Sequence, residues 1–375
     1  MARSINNKFY TNNKNALFNN ISDANWNDYN WQLKNQITLP EKLAHFFKFD
    51  DADFGDFKKT SRIFRFAVTP YFLSLINFEN KNDPLLLQIF PDEKELSKEP
   101  SLTIDPFSEE KRSPVKNLIK RYPDRAVVLA TEKCASYCRY CTRKRNWKNS
   151  FTLSDEDLSN IVQYLRNNKN TREIVLSGGD ALILSPEKLD RILSALYSVD
   201  SIEVVRIGTR TLSFLPQKID RPLIETLKKY KPLWIITHFN HPNEFTSDTE
   251  KAIDLLLEAK VSLANQSVLL KNVNDNSDTM KSLLQTLEYC QIKPYYLFQC
   301  DLVEGTKHFR TSIEKGLDIM KDVRGNIGGL CIPTYVVDLP DGGKVPLLPE
   351  YLIKATSNNL IFKNYEGKMF NYPNL

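Results

Sequence analysis

The chain has 375 residues, and 51 Lys and Arg against 46 Asp and Glu leave a formal net charge of +5. That excess is too small and too evenly spread to hold nucleic acid by electrostatics alone, and 41% hydrophobic with 11% aromatic residues excludes disorder for most of the length. No apolar run reaches the roughly 18–20 residues of a bilayer span, and the opening MARSINNKFYTNNKN lacks the apolar stretch of a signal peptide, so the expectation is a soluble cytoplasmic protein with no nucleic-acid or membrane partner.

Residues 1–120 carry helix-like patches, Pro40–Phe47 and Pro70–Ile76 among them, between Asn- and Lys-rich stretches and a loop-like segment over Glu99–Pro114. No chemistry announces itself there, and the region reads as a supporting helical extension. From about residue 126 the pattern changes. Short apolar runs appear at Ala126–Ala130, Ile174–Leu176, Val204–Ile207, Leu233–Ile236, Val261–Ala264 and Tyr295–Phe298. Their length and their β-branched or aromatic content mark buried strands. Between them, Leu158/Ile161/Val162/Leu165, Leu189/Ile192/Leu193/Leu196 and Met280/Leu283/Leu284/Leu287 repeat the i, i+3, i+4, i+7 spacing of a helix face. Ser154 with Asp157 resembles a capping box, and Pro186 follows Ser185 as a proline in the first helical position should. After the first, strand starts recur about every 30 residues, the length of a βαβ unit. The arrangement predicts a parallel sheet with helices outside, most simply a curled partial barrel.

Each strand is followed by polar residues: CASYCRYC after the first, then SGGD, GTR, THFNH, NQS and QCD. In (β/α) barrels the loops at the carboxyl ends of the strands build the active site, so these clusters should converge on one mouth. That is the pattern of an enzyme.

Glycine is scarce, at 12 residues, and pairs at Gly178–Gly179, Gly328–Gly329 and Gly342–Gly343, where the backbone must turn hard or approach a ligand closely. Of six cysteines, Cys134, Cys138 and Cys141 fall within eight residues. They could form part of a zinc site completed by His238 or His241, as in a non-enzymatic zinc module. A dithiol centre at Cys138 and Cys141 would leave Cys134 unexplained. As ligands of a four-iron cluster they would leave one iron open to an amino acid-like chelator. The x3, x2 spacing after the first barrel strand, with Tyr140 before the last cysteine, resembles the radical S-adenosylmethionine (SAM) superfamily. The resemblance implies a [4Fe-4S] cluster on Cys134, Cys138 and Cys141. It also implies SAM on the open iron, cleaved to a 5′-deoxyadenosyl radical, and a SAM-contacting segment at Ser177, Gly178, Gly179 and Asp180.

A closer likeness lies in RYPDR, CASYCRYCTRKR, LSGGDAL, RIGTR, THFNHPNE, NQSVLL, PYY-x3-CD and PTYVVD. Together they resemble the lysine 2,3-aminomutase family over nearly the whole chain. The family's pattern implies pyridoxal 5′-phosphate (PLP) on Lys344 of DGGK as a Schiff base. It implies Arg121, Tyr122 and Arg125 for the PLP phosphate, and His238 and Gln266 for SAM. Arg143 is implied for the substrate carboxylate, and Asp301 and Asp338 for a substrate ammonium. The segment between Asp338 and Lys344 is one residue shorter than the family's usual one.

The fold so implied is a radical SAM partial (β/α)6 barrel over 121–325, with an N-terminal helical extension over 1–120 and a short C-terminal segment, 326–375, carrying the PLP lysine. The implied reaction interconverts L-lysine and β-lysine. The alternatives are the same shift on arginine or glutamate, or β-lysine supply for protein modification. An electron donor such as a flavodoxin or ferredoxin is implied, and a homo-oligomer is left open. The family's longer members carry a cysteine-rich zinc-binding tail; here the chain stops at Leu375 and Asn276 takes the place of a companion cysteine, so no zinc is expected. Cys290, Cys300 and Cys331 are expected to be buried small hydrophobes.

Overall fold

The computed structural model describes residues 9–11, 14–43, 46, 51–148, 151–356 and 359–373. A nine-stranded sheet runs in chain order through β1 (Leu118–Ile119), β2 (Arg125–Thr131), β3 (Glu173–Gly178), β4 (Val204–Gly208), β5 (Leu233–Thr237), β6 (Ser262–Leu269), β7 (Lys293–Gln299), β8 (Thr334–Leu339) and β9 (Gly343–Pro346). β2 to β8 are parallel, and β1 and β9 are antiparallel edges. The order ends at β1 and β9 without pairing them, which leaves the barrel partial. All six expected strands are present. A further parallel strand, β8, lies within the PTYVVD segment, and β9 folds back on it to place Lys344 directly opposite Asp338.

Alternation divides each strand between two environments. Ile174 and Leu176 of β3 and Val205 and Ile207 of β4 are fully buried in the main core. Their neighbours Glu173, Val175, Ser177, Arg206 and Gly208 line the barrel interior. Crossover helices at Asp155–Asn167, Pro186–Tyr197, Arg221–Leu227, Ser247–Glu258, Ser277–Tyr289 and Ile313–Val323 cover the outer face. Their buried positions include the three apolar stripes read from spacing. Burying each such aliphatic side chain stabilises the fold by about 1.5–3 kcal/mol before entropy is subtracted.

The helix starts are chemically specified. Ser185 accepts from the Lys188 N–H, with Pro186 in the first turn. Ser154 accepts from the Asp157 N–H at 3.0 Å, but only that half of the capping box forms. The Asp157 carboxylate binds Lys116 and Asn117 instead, tying the helix to the segment before β1. Asn276 caps Ser277–Tyr289 by accepting from the Thr279 N–H at 2.9 Å.

The N-terminal region has its own apolar cluster, built from Trp26, Leu43, Phe57, Tyr71, Phe72 and their neighbours, and it packs on Ala135 and Phe214. The expected patch at Pro70–Ile76 begins as a helix, Pro70–Leu73, capped by Thr69. The patch at Pro40–Phe47 forms a helix over Pro40–Leu43, while Phe47 lies outside the described residues. This extension does more than pack. Glu95 makes a two-point pair with Arg139 at 2.8 Å for both contacts and also holds Lys144 at 2.7 Å. Arg139 and Glu95 are fully buried. Removing one member of such a pair leaves an uncompensated buried charge, at about 3–5 kcal/mol. The extension therefore clamps the cysteine loop from outside the barrel. A separate three-stranded sheet, β10 (Leu352–Ala355), β11 (Asn359–Lys363) and β12 (Met369–Pro373), follows the barrel.

Candidate active site

One cavity of about 590 Å3 opens at the carboxyl ends of the strands. Every residue named above for the cluster, SAM, PLP and the substrate lines it. The convergence follows from the βα repeat, which returns each strand end to the same rim.

Cys134, Cys138 and Cys141 are free thiols on this wall. Burial pushes the Cys134 and Cys141 thiols up; Asp180 and the other two thiols add to it at Cys134, while at Cys141 only Cys138 adds to it and Arg143 and Lys144 oppose it. A metal binds these groups as thiolates, so cluster binding would release their protons. Among the described residues no group of three His, Cys, Asp or Glu side chains is already set to hold a single metal ion, although all three cysteines share the cavity wall. Arg210 Nη1 lies 2.9 Å from Cys138 Sγ and 2.5 Å from the Tyr140 hydroxyl. Its Nη2 donates to Gln88 and Glu244. The cation therefore stands beside a position that becomes anionic as thiolate, so the donor set fits an iron–sulfur cluster.

Gly178 and Gly179 have a steric reason. Gly178 has φ +123°, and a Cβ there would stand 2.2 Å from the Thr131 carbonyl oxygen. A Cβ on Gly179 would stand 2.3 Å from that of Lys133. The glycines let the end of β3 press against the start of the cysteine loop, where Gly179 N–H donates to Thr131 at 2.5 Å and Asp180 N–H to Lys133 at 2.8 Å. The Asp180 carboxylate turns toward β4, accepting from the Thr209 hydroxyl and the Arg210 and Leu182 N–H groups. His238 Nε2 sits 3.0 Å from the Tyr140 hydroxyl. Burial, reinforced by the Arg210 cation, lowers its pKa to about 3, so the ring is neutral. Gln266 reaches the cavity from β6.

Of the charged residues expected to bind PLP and substrate, Arg121 and Lys344 pair with Asp338, while Arg125 and Arg143 pair with carboxylates outside that set. Arg121 donates to Asp338 at 2.9 Å and to the Leu339 carbonyl at 3.3 Å. Lys344 Nζ is 3.4 Å from the other Asp338 oxygen, 5.4 Å from the Tyr122 ring centre and 5.7 Å from that of Phe298. Tyr122 also accepts the Lys344 backbone N–H at 3.2 Å. Arg125 pairs with its neighbour Asp124 at 2.9 Å and lies 3.9 Å from the Tyr122 ring centre. Phosphate would thus find two arginines and a tyrosine grouped beside Lys344, in a cradle that fits PLP, after Arg121 and Arg125 exchange carboxylate partners. Lys144, by contrast, is committed to Glu95 and the Gly305 carbonyl.

Asp301 lies beside Asp338, and burial, then the Asp338 charge, raises its pKa to about 7, against the opposing pull of Lys344, Arg310 and Arg121. Arg143 grips Glu109 at two points, 3.0 and 2.7 Å, and points Nη1 to Ser177 Oγ at 3.3 Å. Sequence reasoning missed Glu109 and did not assign Arg210, although it noted the RIGTR motif. Glu109 belongs to a loop without periodicity, and its only sign was a carboxylate with no assigned partner.

Comparison with known proteins agrees with this geometry. Residues 128–284 match the family model described as the radical SAM superfamily, and residues 320–375 match that described as lysine-2,3-aminomutase. The chain is 43% identical to the L-lysine 2,3-aminomutase of Clostridium subterminale, an alignment covering 95% of this chain and 86% of the relative. The chain belongs to the lysine 2,3-aminomutase family. Membership makes it a radical SAM isomerase that works with SAM and a [4Fe-4S] cluster, and the zinc-module alternative falls away. The family is not uniform in substrate. The L-lysine 2,3-aminomutase of Methanococcus maripaludis is 43% identical, covering 94% of this chain and 83% of the relative. The glutamate 2,3-aminomutase of Clostridioides difficile is 41% identical, covering 93% of this chain and 83% of the relative. Identity this close cannot separate the two substrates, so the cavity's charges must. Among the described residues no helix is long and apolar enough to cross a membrane.

Proposed function

We propose that this chain is a PLP-dependent L-lysine 2,3-aminomutase of the cytoplasm, interconverting L-lysine and β-lysine (3,6-diaminohexanoate) and taking its electron from a low-potential donor of the flavodoxin or ferredoxin type. The observation that carries the reading is the paired carboxylates of Asp301 and Asp338 in a cavity that also presents the Arg143 guanidinium. When bound, SAM supplies a radical that takes a β-hydrogen, and PLP supplies the conjugated system through which the amino group moves.

The protein's own groups orient and shield. Arg143 holds the substrate carboxylate, and Ser177 stands beside its free edge. Asp301 and Asp338 receive the ε-ammonium. Lys344 neutralises Asp338 until its amine is engaged by PLP, after which Asp338 can turn to the incoming ammonium. A side-chain carboxylate would be repelled there, which favours lysine over glutamate. Arginine also presents a cation, and only pocket length separates it from lysine.

Borohydride reduction of the PLP-loaded protein followed by peptide mapping should place the pyridoxyl mass on Lys344. A label on Lys133 or Lys144 would overturn the assignment and implicate the shortened loop.

Lysine binding should also depend on pH. Asp301 holds an ammonium only when ionised, and its pKa is raised to about 7. With that value the ionised fraction falls about fivefold between pH 7 and pH 6, so the lysine Kd should rise over that interval. Asp301→Asn should abolish this limb of the profile. An unchanged limb in that variant would assign it to another group.

A further inference from the structure

The guanidinium assigned to the substrate carboxylate is already held on one side. Glu109 occupies the Nε and Nη2 edge of Arg143, and Arg145 grips the same carboxylate from the other side at 2.7 Å. Asp105 takes a further contact with Arg145 at 3.2 Å. Two carboxylates from the 105–109 segment thereby lock two arginines of the cysteine loop. The Glu109 side chain is 7% exposed. Burial opposes its ionisation, yet Arg143 and Arg145 outweigh it and hold its pKa at about 2, so it remains an anion at any working pH.

A guanidinium has two edges that can meet a carboxylate through parallel hydrogen bonds. On Arg143 the side edge is taken by Glu109. The end edge carries Nη1, whose contact is Ser177 Oγ on the cavity wall. Left alone, the arginine would lose rotamer entropy on binding; held by Glu109, it loses most of this before substrate arrives. Glu109 also cancels the Arg143 charge locally, so a carboxylate that brings no second, cationic pole gains little from net attraction.

We infer that Glu109 is a positioning residue that fixes Arg143 with only its end edge toward the substrate, setting where the substrate carboxylate sits and disfavouring ligands that lack the opposite pole. This rests on the assignment of Arg143 made above. Arg145 keeps Glu109 in place when substrate binds, so the substrate adds to the pair and does not displace Glu109.

The test is calorimetric titration of the cofactor-loaded enzyme with L-lysine and with cadaverine, the same diamine chain without the carboxylate. Glu109→Gln should weaken lysine binding about tenfold through misplacement of the fork, while cadaverine binding stays unchanged. Glu109→Asp, which keeps the charge one methylene short, should fall between. Iron content and melting temperature report whether the variants fold. Equal loss of both ligands, or loss of neither, overturns the inference. Arg143→Lys separates it from the reading it rests on. If that variant still binds lysine normally, the Arg143 assignment and this inference fall together. If it loses lysine selectively while Glu109→Gln does not, only the inference about Glu109 falls.

Discussion

Cys138→Ala should leave a folded protein that retains no four-iron cluster and does not cleave SAM, and Cys134→Ala and Cys141→Ala should do the same. Three thiolates would hold three irons, and loss of any one would leave a second iron without a protein ligand. The check is iron and sulfide content together with 5′-deoxyadenosine formation. Cys290→Ala is the control, because Cys290 is buried in the main core and should keep full iron content. Native-rate SAM cleavage by Cys138→Ala would show that the cluster is held elsewhere. Arg210 predicts a difference within the trio: its contact is to Cys138, so Cys138→Ala alone also strips the cation of its sulfur partner.

Asp301→Asn and Asp338→Asn should each lower kcat/KM for L-lysine by about one and a half to three and a half decades, the loss of ~2–5 kcal/mol expected when a shielded ammonium loses a charge partner. The two should differ in kind. Asp301→Asn removes a group whose ionisation is already strained by Asp338, so its effect should fall on substrate affinity. Asp338→Asn also releases Arg121 and Lys344, so PLP retention should change with it. Turnover and PLP occupancy in both variants check this. Indifference to both substitutions would remove lysine's ammonium from this end of the cavity.

The strands and the rim were legible because both follow from periodicity. Short apolar runs recurring at the βαβ length define the sheet, and the residue after each run is carried to the same end. The roles of individual charges were less legible, since an ionic partner is chosen by the fold. Arg121, implied for the PLP phosphate, takes a partner no motif announced, Asp338, 217 positions away. Glu95 and Glu109 reach the cysteine loop across 44 and 34 positions from a region without catalytic motifs. Asp157 shows the same on a smaller scale: its spacing from Ser154 suggested a reciprocal cap, and competing donors from Lys116 and Asn117 took its carboxylate. The strand Thr334–Leu339 was not among the six; it leaves the core over its second half, ending on the exposed Leu339.

The most direct test of the proposed activity is to incubate the reconstituted protein anaerobically with SAM, PLP and a reductant, in separate reactions with L-lysine, L-arginine and L-glutamate, and to analyse each for β-amino acids. β-Lysine should form from L-lysine at the highest rate of the three. Faster formation of β-glutamate than of β-lysine, or no β-amino acid from any of the three, would contradict it.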